Sequence, residues 1–412
     1  MKKILFVTYG GGHADIVLRL LPYIEANPGL EYSILALTTA GTFFDKHGIS
    51  YKRCIDYLPL SGYEEALDVG GSLSKALWDS SSGIPYIDSC AYLGVSMLDL
   101  IAEDGAVVAK SAYKKLGRKS FCPTGFMQNV IQAEEPDVVI TTCYVRMERA
   151  AIIAAKSLGI KSILIEDLFG YSLLGEKPLE VNELVFPLET HPDHIFVLNE
   201  FVRERHIQAG LPVETIHVTG QPVLSEWVED YESALPEVTL EKIRQEGYPV
   251  ITYIAPAARR ILYEQTDAII ELAKLRPDWR FCIKLHPSIG VREFTKKYPD
   301  KPETVKVMHD EEILSVVKGS DLILIFSSTV GLLCVFCNVP LLVLDCLDEP
   351  SSMPYVSSGV ARGINNYHEL EAAVQAELDG VGNDTDVKTD AGIFYNPPRA
   401  AEKIISVLYK LL

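Results

Sequence analysis

A histidine that directly follows three glycines is the first group in the chain that could do acid/base chemistry. Residues Gly10–His13 lie between a short apolar run, Ile4–Val7, and a segment with apolar residues at helical spacing, Ala14–Glu25. This order predicts a strand, a glycine turn and a helix. A helix N-terminus favours a negative charge and a histidine titrates near neutrality, so His13 is a candidate general base. The alternative is a tight turn in which the histidine only caps the helix.

Two carboxylates form a second candidate group. Glu166 and Asp167 follow the apolar run Ile163–Ile165 directly, before Leu168–Gly170. In an open parallel sheet, ligands bind at the carboxyl ends of the strands, where paired acidic groups could do acid/base work or bind sugar hydroxyls. A helix N-cap or a turn, which Asp and Glu also serve, is the competing interpretation.

The second half of the chain carries polar groups that suit phosphate. Lys284–Pro287 ends one predicted strand, and Ser327–Thr329 lies between another strand and a helix. Hydroxyls and free backbone N–H groups at a helix start bind phosphate well, although serine is also a common N-cap. Arg259 and Arg260 follow a third strand and could neutralise a diphosphate, or form a solvated surface pair.

Strands that alternate with helical segments predict two α/β domains built on parallel sheets. In the first half, the predicted strands are Ile4–Val7, Tyr32–Leu37, Pro136–Thr142, Lys161–Glu166, His194–Leu198 and His217–Thr219. In the second half, they are Val250–Ile254, Arg280–Leu285, Thr304–Met308, Asp321–Phe326 and Leu341–Leu344. We therefore predict two α/β domains, residues 1–225 and 245–395. A mostly helical insertion at about 60–130 interrupts the first domain, an acidic linker with a helix joins the two, and a final helix ends the chain.

Composition excludes several classes of protein. The 412 residues carry 38 Lys+Arg against 56 Asp+Glu, a net charge of −18, which argues against general binding to nucleic acid or anionic lipid. No run approaches the roughly 18 apolar residues of a membrane span, and the apolar start of the chain is too short for a signal peptide. The eight cysteines have no disulfide-framework or zinc-site spacing. We expect a soluble protein of a reducing cytoplasm, with a homodimer as one possible state.

The order of elements resembles the nucleotide-sugar glycosyltransferases of the GT-B architecture, in which two Rossmann-like domains face a central cleft, and also the non-hydrolysing UDP-N-acetylglucosamine 2-epimerases. Gly10–His13 looks like the first loop of the peptidoglycan lipid-linked N-acetylglucosaminyltransferase, where the corresponding histidine is a proposed base. Val218–Val223 is similar to the V-T-G-N-P-V segment of that family. The resemblance covers nearly the whole chain except the insertion. It implies an N-terminal Rossmann-like acceptor domain (1–225), a C-terminal Rossmann-like nucleotide-sugar-binding domain (245–395) and a C-terminal helix (396–412) that crosses back to the N-terminal domain.

Other motifs resemble enzymes that use CMP- or CDP-linked donors. Lys284–Pro287 together with Ser327–Leu332 resembles the H-P and S-S/T motifs of bacterial sialyltransferases, capsule Kdo transferases and glycerophosphate transferases. Ser320–Pro340 looks like the nucleotide-binding strand–helix–strand of the fold. Ala150–Gly170 resembles the 2-epimerase stretch that ends in H-V-E-A-G, which puts Glu166 on the catalytic glutamate of that family.

Two positions depart from these families. Aligning back from Pro340 places Leu333 where UDP-sugar enzymes carry a glutamate for the ribose hydroxyls, which leaves CMP- or CDP-linked donors at least as probable as UDP-linked ones. The histidine of H-V-E-A-G is replaced by Leu164 or Ile165, which counts against simple 2-epimerase chemistry.

The resemblance implies a glycosyltransferase of polysaccharide biosynthesis that moves a sugar from a CMP-, CDP- or UDP-linked donor to a carbohydrate or other hydroxyl acceptor. It would need no cofactor and no metal, since no D-x-D motif ends a strand. The alternatives are a nucleotide-sugar 2-epimerase-like enzyme and a degenerate nucleotide-sugar-binding protein. The catalytic candidates are His13, Glu166 and Asp167, and the nucleotide-binding candidates are Gly11, Gly12, Gly220, Arg259, Arg260, Lys284, His286, Pro287, Ser327, Ser328 and Thr329.

Overall fold

The chain divides into two compact units, residues 1–225 with 396–412 and residues 226–395. The structure, a computed structural model, describes residues 1–58, 62–78, 83–170, 173, 184, 187–346, 353–380 and 392–412. Within these residues no helix is both long and apolar enough to cross a membrane.

The first unit is built on a parallel sheet of six strands in the order β2-β1-β3-β4-β5-β6. Its strands are β1 (Lys2–Thr8), β2 (Leu30–Ala36), β3 (Val138–Thr141), β4 (Lys161–Ile165), β5 (His194–Val197) and β6 (Ile216–Val218). The central strands are continuous apolar runs with almost no exposed surface, as Ile163–Ile165 shows, because helices cover both faces of a parallel sheet.

Helices alternate with these strands. They are α1 (Gly12–Glu25), α2 (Ala40–Lys46), α3 (Ala66–Leu77), α4 (Tyr86–Asp104), α5 (Ala106–Leu116), α6 (Thr124–Glu134), α7 (Arg146–Ser157) and α8 (Glu200–Gln208), with short 3-10 turns at Cys54–Tyr57, Gly117–Ser120, Leu188–Thr190 and Val213–Thr215. The insertion is indeed helical where it is described: α3 and α4 pack against each other, and α4 also contacts α5 and α6.

The second unit carries another parallel six-stranded sheet, in the order β12-β11-β10-β7-β8-β9. Its strands are β7 (Val250–Ile254), β8 (Arg280–Lys284), β9 (Val305–Met308), β10 (Leu322–Ile325), β11 (Leu341–Leu344) and β12 (Arg362–Ile364). Its helices are α9 (Pro222–Ser233, which begins in the first unit), α10 (Val238–Gln245), α11 (Arg259–Leu275), α12 (Val291–Lys297), α13 (Ile313–Lys318), α14 (Val330–Phe336) and α15 (Leu370–Leu378), with a 3-10 turn at Tyr367–Glu369.

The last helix, α16 (Ala400–Leu411), belongs to the first unit and packs on α1, which confirms that the chain crosses back. Its buried side chains lie on one face: Ala400, Ala401, Ile404, Ile405 and Leu408. The Tyr409 hydroxyl donates a hydrogen bond to Asn27 Oδ1 at 2.8 Å, which ties the end of the chain to the α1–β2 turn.

The two sheets confirm the α/β fold predicted from the sequence, and the bounds of β7 and β11 agree residue for residue. Five short elements of the described chain were not predicted: α2, α8, α12, α15 and β12. The acidic stretch predicted as a linker with one helix contains two helices, α9 and α10.

Candidate active site

Each sheet has one place where its strand order reverses, and the predicted residues lie around both places. In the first unit, β2 pairs on one side of β1 and β3 on the other. In the second unit, β8 and β10 flank β7 in the same way. Ligands of open α/β sheets bind outside the carboxyl ends of the strands at such switch points. The loops after β1, β3 and β4, and those after β7, β8 and β10, are therefore the places to examine.

The glycine loop after β1 is shaped by backbone constraints at two of its positions. A Cβ on Gly10 would lie 1.9 Å from Thr39 Oγ1 and 2.8 Å from the Ala40 nitrogen, so only glycine lets this loop pack against the start of α2. Gly11 has φ +70° and directly precedes α1, a conformation that L side chains rarely adopt. Nothing lies within 4 Å of a Cβ built on Gly12, which is exposed at the start of α1. The loop thus presents open backbone immediately before His13.

Glu148, in the first turn of α7, is an acid/base candidate that sequence reasoning missed. Its carboxylate is fully buried and accepts backbone N–H bonds from Tyr9 (2.9 Å), Thr142 (2.6 Å) and Cys143 (2.7 Å). These bonds join the ends of β1 and β3 through one side chain. Burial raises the pKa of Glu148, and the charge of His13 and the three N–H donors partly offset that rise. Its signal in the sequence is an acidic residue in the segment that follows the predicted strand Pro136–Thr142.

His13 lies within electrostatic reach of two carboxylates, Glu148 and Asp167. Burial also raises the pKa of Asp167; His13 and a hydrogen bond from the Gln221 side chain lower it, while Glu166 raises it further. The Nδ1 atom of His13 is shut off from solvent and hydrogen-bonds to no described residue. His13 and Asp167 are both only partly buried, so a substrate could reach them, whereas Glu148 is sealed behind them. The three groups follow β1, β3 and β4 along the chain, and the ends of these three neighbouring strands span about 10 Å.

Glu166 faces away from solvent and is held by a histidine. Its Oε2 atom lies 2.8 Å from Nε2 of His206, and both side chains are completely buried. The His206 Nδ1 atom bonds to the Val202 carbonyl at 2.7 Å. Burial alone would lower the pKa of His206, but the Glu166 carboxylate and the Val202 carbonyl raise it. The pair joins β4 to α8 across forty positions of the chain, a contact that sequence spacing cannot reveal.

In the second unit, the three hydroxyl side chains predicted to hold phosphate, Ser327–Thr329, lie in the loop after β10. Ser328 Oγ accepts the N–H of Val330 at 3.2 Å, and the Ser328 carbonyl accepts the Tyr355 hydroxyl at 2.8 Å. Ser327 and Ser328 are half-buried and Thr329 is exposed. A Cβ on Gly331 would lie 2.6 Å from the Tyr355 ring, so this glycine lets the tyrosine fix the loop.

His286 stands exposed after β8 with its ring orientation defined. Its Nδ1 atom accepts the N–H of Ser288 at 3.1 Å and lies 2.8 Å from Ser288 Oγ, so the neutral ring carries its proton on Nε2. Partial desolvation lowers the pKa of His286, which favours that neutral form. Pro287 is exposed beside it. Because β8 and β10 both adjoin β7, His286 and Ser327 lie about 10 Å apart along one sheet edge.

Three of the predicted nucleotide ligands are engaged elsewhere. Arg259 forms a two-pronged pair with Glu293 (2.7 and 3.0 Å), and together with the Tyr263 hydroxyl it lowers the pKa of Glu293 to about 2. Lys284 is buried and its ammonium donates to the His309 carbonyl. Gly220 is also buried: a Cβ there would lie 2.9 Å from Asn396 Oδ1 and 3.0 Å from Pro397 O. These residues hold structure together, whereas Arg260 is exposed at the start of α11.

Leu333 is 1% exposed and forms part of the α14 core face. The position that the sequence aligned with a ribose-binding glutamate thus carries a buried apolar side chain.

Among the described residues, no group of three or more His, Cys, Asp and Glu side chains could hold a metal ion.

Several solved structures resemble the chain over nearly its full length. Staphylococcus aureus MnaA, solved with UDP, is 17% identical, with 100% of this chain and 97% of that chain covered and a TM-score of 0.66. The UDP-GlcNAc 2-epimerase of Methanocaldococcus jannaschii is 13% identical, with 99% of both chains covered and a TM-score of 0.61. The glycosyltransferase of kitacinnamycin is 14% identical, with 98% of both chains covered and a TM-score of 0.56. The chain has the GT-B fold.

No protein-family model and no curated protein sequence matches the chain. At identities this low, the structural likeness establishes the fold alone. Both a 2-epimerase and a glycosyltransferase have this fold. What the GT-B units of this chain do must be argued from their own side chains.

Proposed function

We propose that the chain is a glycosyltransferase that moves a sugar from a CMP-, CDP- or UDP-linked donor to a hydroxyl acceptor without a metal ion. The observation that carries the proposal is the placement of His13 at the switch point of the first sheet, with Glu148 behind it and Asp167 beside it.

Transfer to a hydroxyl requires one base that takes the acceptor proton. A partly exposed histidine with an anionic neighbour suits this step, because the carboxylate stabilises the imidazolium as it forms. Glu148 is such a neighbour, and its own bonds to three backbone N–H groups fix it in place. Asp167 is the second reachable group and would position the acceptor or serve as the base itself.

The second unit supplies groups that suit the donor phosphates. The Ser327, Ser328 and Thr329 hydroxyls and the Nε2–H of His286 share the carboxyl edge of its sheet. Hydrogen bonds to a charged phosphate are each worth about 1.5–3 kcal/mol, so a few of them suffice for micromolar binding. The apolar Leu333 stands where UDP-sugar enzymes carry a ribose-binding glutamate, which leaves CMP- and CDP-linked donors as candidates beside UDP-linked ones.

A nucleotide-sugar 2-epimerase-like activity is the second candidate, favoured by the likeness to solved 2-epimerases and by Glu166 at the end of β4. In that reaction a carboxylate removes and returns a proton at the sugar ring. The burial of Glu166 against His206 counts against it, because a carboxylate with no exposed surface cannot meet a substrate without a rearrangement.

The two activities separate by their need for an acceptor. Purified protein is first screened for a rise in melting temperature with CMP, CDP, UDP and GDP. It is then incubated with sugars linked to the nucleotide that binds, with and without a pool of hydroxylated acceptors, while NMR follows the sugar and free nucleotide. We expect nucleotide release that depends on acceptor. Epimerisation without acceptor would support the second candidate, binding without either reaction would indicate a degenerate binding protein, and no stabilisation by any pyrimidine nucleotide would contradict the proposal.

A further inference from the structure

A cavity of about 190 Å³ lies in the first unit, at the carboxyl end of β2. Residues after β2 and on α2 form one wall, and the end of α3 and the first turns of α4 form the other. The side chains that bear on its chemistry are Thr38, Arg53, Trp78, Asp88, Tyr92 and Arg118. This set combines two guanidinium groups, one carboxylate, two hydroxyls and an indole.

The carboxylate in the wall has an unused acceptor. Asp88 Oδ2 pairs with Arg53 Nη1 at 2.9 Å, and the Asp88 side chain is only 12% exposed. Asp88 Oδ1 is shut off from solvent and hydrogen-bonds to no described residue. Buried carboxylate oxygens are nearly always hydrogen-bonded, so an unsatisfied one beside a cavity indicates a missing donor. A ligand hydroxyl is a donor of the right kind.

The second guanidinium is uncommitted. The Arg118 side chain is exposed, and its guanidinium forms no hydrogen bond or ion pair with any described residue. Arg53 and Arg118 against Asp88 leave one net positive charge in the lining of this cavity, although the whole chain carries −18. A guanidinium binds carboxylate or phosphate through paired N–H donors. The ligand that this lining fits is therefore an anion.

One wall of the cavity is a rigid aromatic plane. The Trp78 Nε1–H donates to the Ile84 carbonyl at 2.7 Å, and the indole meets the Tyr86 ring edge-to-face at a centroid distance of 5.3 Å. These contacts fix the ring while it stays 37% exposed. An aromatic plane with Leu77 and Pro85 beside it suits the apolar face of a small ring, and the polar groups suit its hydroxyls.

The cavity adjoins the His13 loop within the same unit. β1 and β2 pair directly, so their carboxyl ends lie about 5 Å apart. Gly10 packs against Thr39 and Ala40. Tyr92 lines the cavity, and its hydroxyl lies 2.8 Å from that of Tyr9, two residues before Gly11. The cavity and the histidine loop are therefore neighbours in the first unit.

We propose that this cavity is the acceptor subsite, and that it takes a small hydroxylated compound with one carboxylate or phosphate group. The inference rests on the proposed function, since it supplies the acceptor of the transfer. Arg118 binds the acidic group, Asp88 Oδ1 accepts a hydroxyl, and Trp78 packs on the apolar face of the ring.

Isothermal titration calorimetry of the full chain tests the subsite without nucleotide. D-glucuronate represents a carboxylate ligand, glycerol 3-phosphate a phosphate ligand, and D-glucose the same ring without charge. We expect at least one of the two acids to bind at least tenfold more tightly than glucose, and the tighter of the two shows which anion the subsite takes. Arg118→Gln should reduce that affinity about tenfold or more, since a lost hydrogen bond to a charged group is worth at least one factor of ten.

Matched variants separate the subsite from general effects. Arg292→Gln, on the exposed face of α12 in the second unit, should leave acid binding unchanged. Asp88→Asn and Trp78→Ala should weaken the acids and glucose alike, with melting temperatures showing that each variant is folded. Equal affinities for glucose and both acids, no binding at all, or acid binding that Arg118→Gln does not change would overturn the inference. Because the titration contains no nucleotide, acid binding in a chain that no pyrimidine nucleotide stabilises would refute the proposed function separately.

Discussion

At the scale of single residues, the acid/base groups of the first unit fall into reachable and buried sets. His13 and Asp167 are partly buried and follow β1 and β4, whereas Glu148 and Glu166 have almost no exposed surface. Reachable groups can exchange protons with a substrate, and buried carboxylates can only orient or charge-stabilise a neighbour. This division gives each residue a distinguishable kinetic signature.

His13→Ala should lower kcat by about 10²–10⁴-fold, the usual cost of a lost general base, and leave the nucleotide dissociation constant nearly unchanged. The reason is that His13 lies in the first unit, whereas the hydroxyl cluster proposed for phosphate lies in the second. Steady-state kinetics and nucleotide titration measure the two quantities. His47→Ala, an exposed histidine after α2, is the matched control. Equal losses of rate and nucleotide affinity would instead make His13 a phosphate or ribose ligand.

Ser327→Ala combined with Ser328→Ala should weaken nucleotide binding by tenfold or more, since each hydrogen bond to phosphate is worth about 1.5–3 kcal/mol. Ser328 also accepts the N–H of Val330, so the melting temperature is recorded alongside the binding constant. Ser233→Ala, on exposed α9, controls for loss of a serine hydroxyl. Nucleotide affinity equal to that of the wild type in the double variant would refute the phosphate assignment.

The buried Glu166–His206 pair predicts a pH dependence of stability. The pKa of His206 is raised in the folded state, so its contribution to the free energy of unfolding is complete below about pH 6.5 and disappears as pH rises through the raised value. Urea unfolding from pH 6 to 9 should therefore show falling stability in the wild type and a flatter profile in His206→Gln. His368→Gln, exposed in the second unit, should keep the wild-type slope. A His206→Gln profile parallel to the wild type would show that the pair does not hold a proton.

The sequence predicted the residues that stand directly at strand ends and missed those that act through a partner. His13, Asp167 and Ser327–Thr329 were predicted because a polar residue after an apolar run marks a strand end. The contacts of Glu148 and His206 could not be predicted, because they depend on which other loops the sheet brings beside them. The same holds for Arg259 and Gly220, whose neighbours Glu293 and Asn396 are distant in sequence.

At the scale of elements, continuous apolar runs defined the strands, whereas glycines left the bounds of the helices in the insertion undefined. α3 and α4 contain Gly70, Gly71 and Gly94, which lower helix propensity and weaken the sequence pattern. Their purpose is close packing. A Cβ on Gly70 would lie 1.8 Å from the Cys90 carbonyl oxygen, and one on Gly94 would lie 1.8 Å from that of Ala66. β12 was missed for another reason, since Arg362–Ile364 is too short to show any periodicity.

Gly94→Ala should destabilise the first unit by several kcal/mol, because the added methyl group meets backbone atoms that cannot move aside. Gly71→Ala, on α3 with nothing closer than 3.9 Å to its Cβ, should be neutral or slightly stabilising through better helix propensity. Chemical denaturation of both variants measures the difference. If the two substitutions have the same effect, α3 and α4 do not cross at these glycines. The acceptor cavity, which both helices line, should be lost with Gly94→Ala.

At the scale of the whole molecule, the first unit is discontinuous in sequence. Residues 396–412 belong to it, although they follow the second unit along the chain. The contact is specific. Asn396 Oδ1 accepts the Gln221 N–H at 2.8 Å, and Asn396 Nδ2 donates to Ser225 Oγ at 3.0 Å and to the Gln221 carbonyl at 3.3 Å. Gln221 in turn hydrogen-bonds through its side chain to Asp167. The C-terminal segment is therefore connected to the candidate site through Gln221, which hydrogen-bonds to both Asn396 and Asp167.

Asn396→Ala should lower the stability of the first unit by about 1–3 kcal/mol, since it leaves the Gln221 N–H without its partner. Hydrogen exchange resolved by peptide should show faster exchange around 216–225 and in β4, with no change in β7 to β11 of the second unit. Asn365→Ala, exposed after β12, is the matched control.

The same substitution should reach the chemistry, because Gln221 positions Asp167. If Asp167 orients the acceptor, Asn396→Ala should raise the acceptor KM several-fold while nucleotide affinity stays constant. If Asp167 is itself the base, kcat should fall, and its dependence on pH should shift toward higher pH as the hydrogen bond that lowers the Asp167 pKa weakens. Unchanged kinetics and unchanged exchange in Asn396→Ala would show that the C-terminal segment covers the first unit without organising its site.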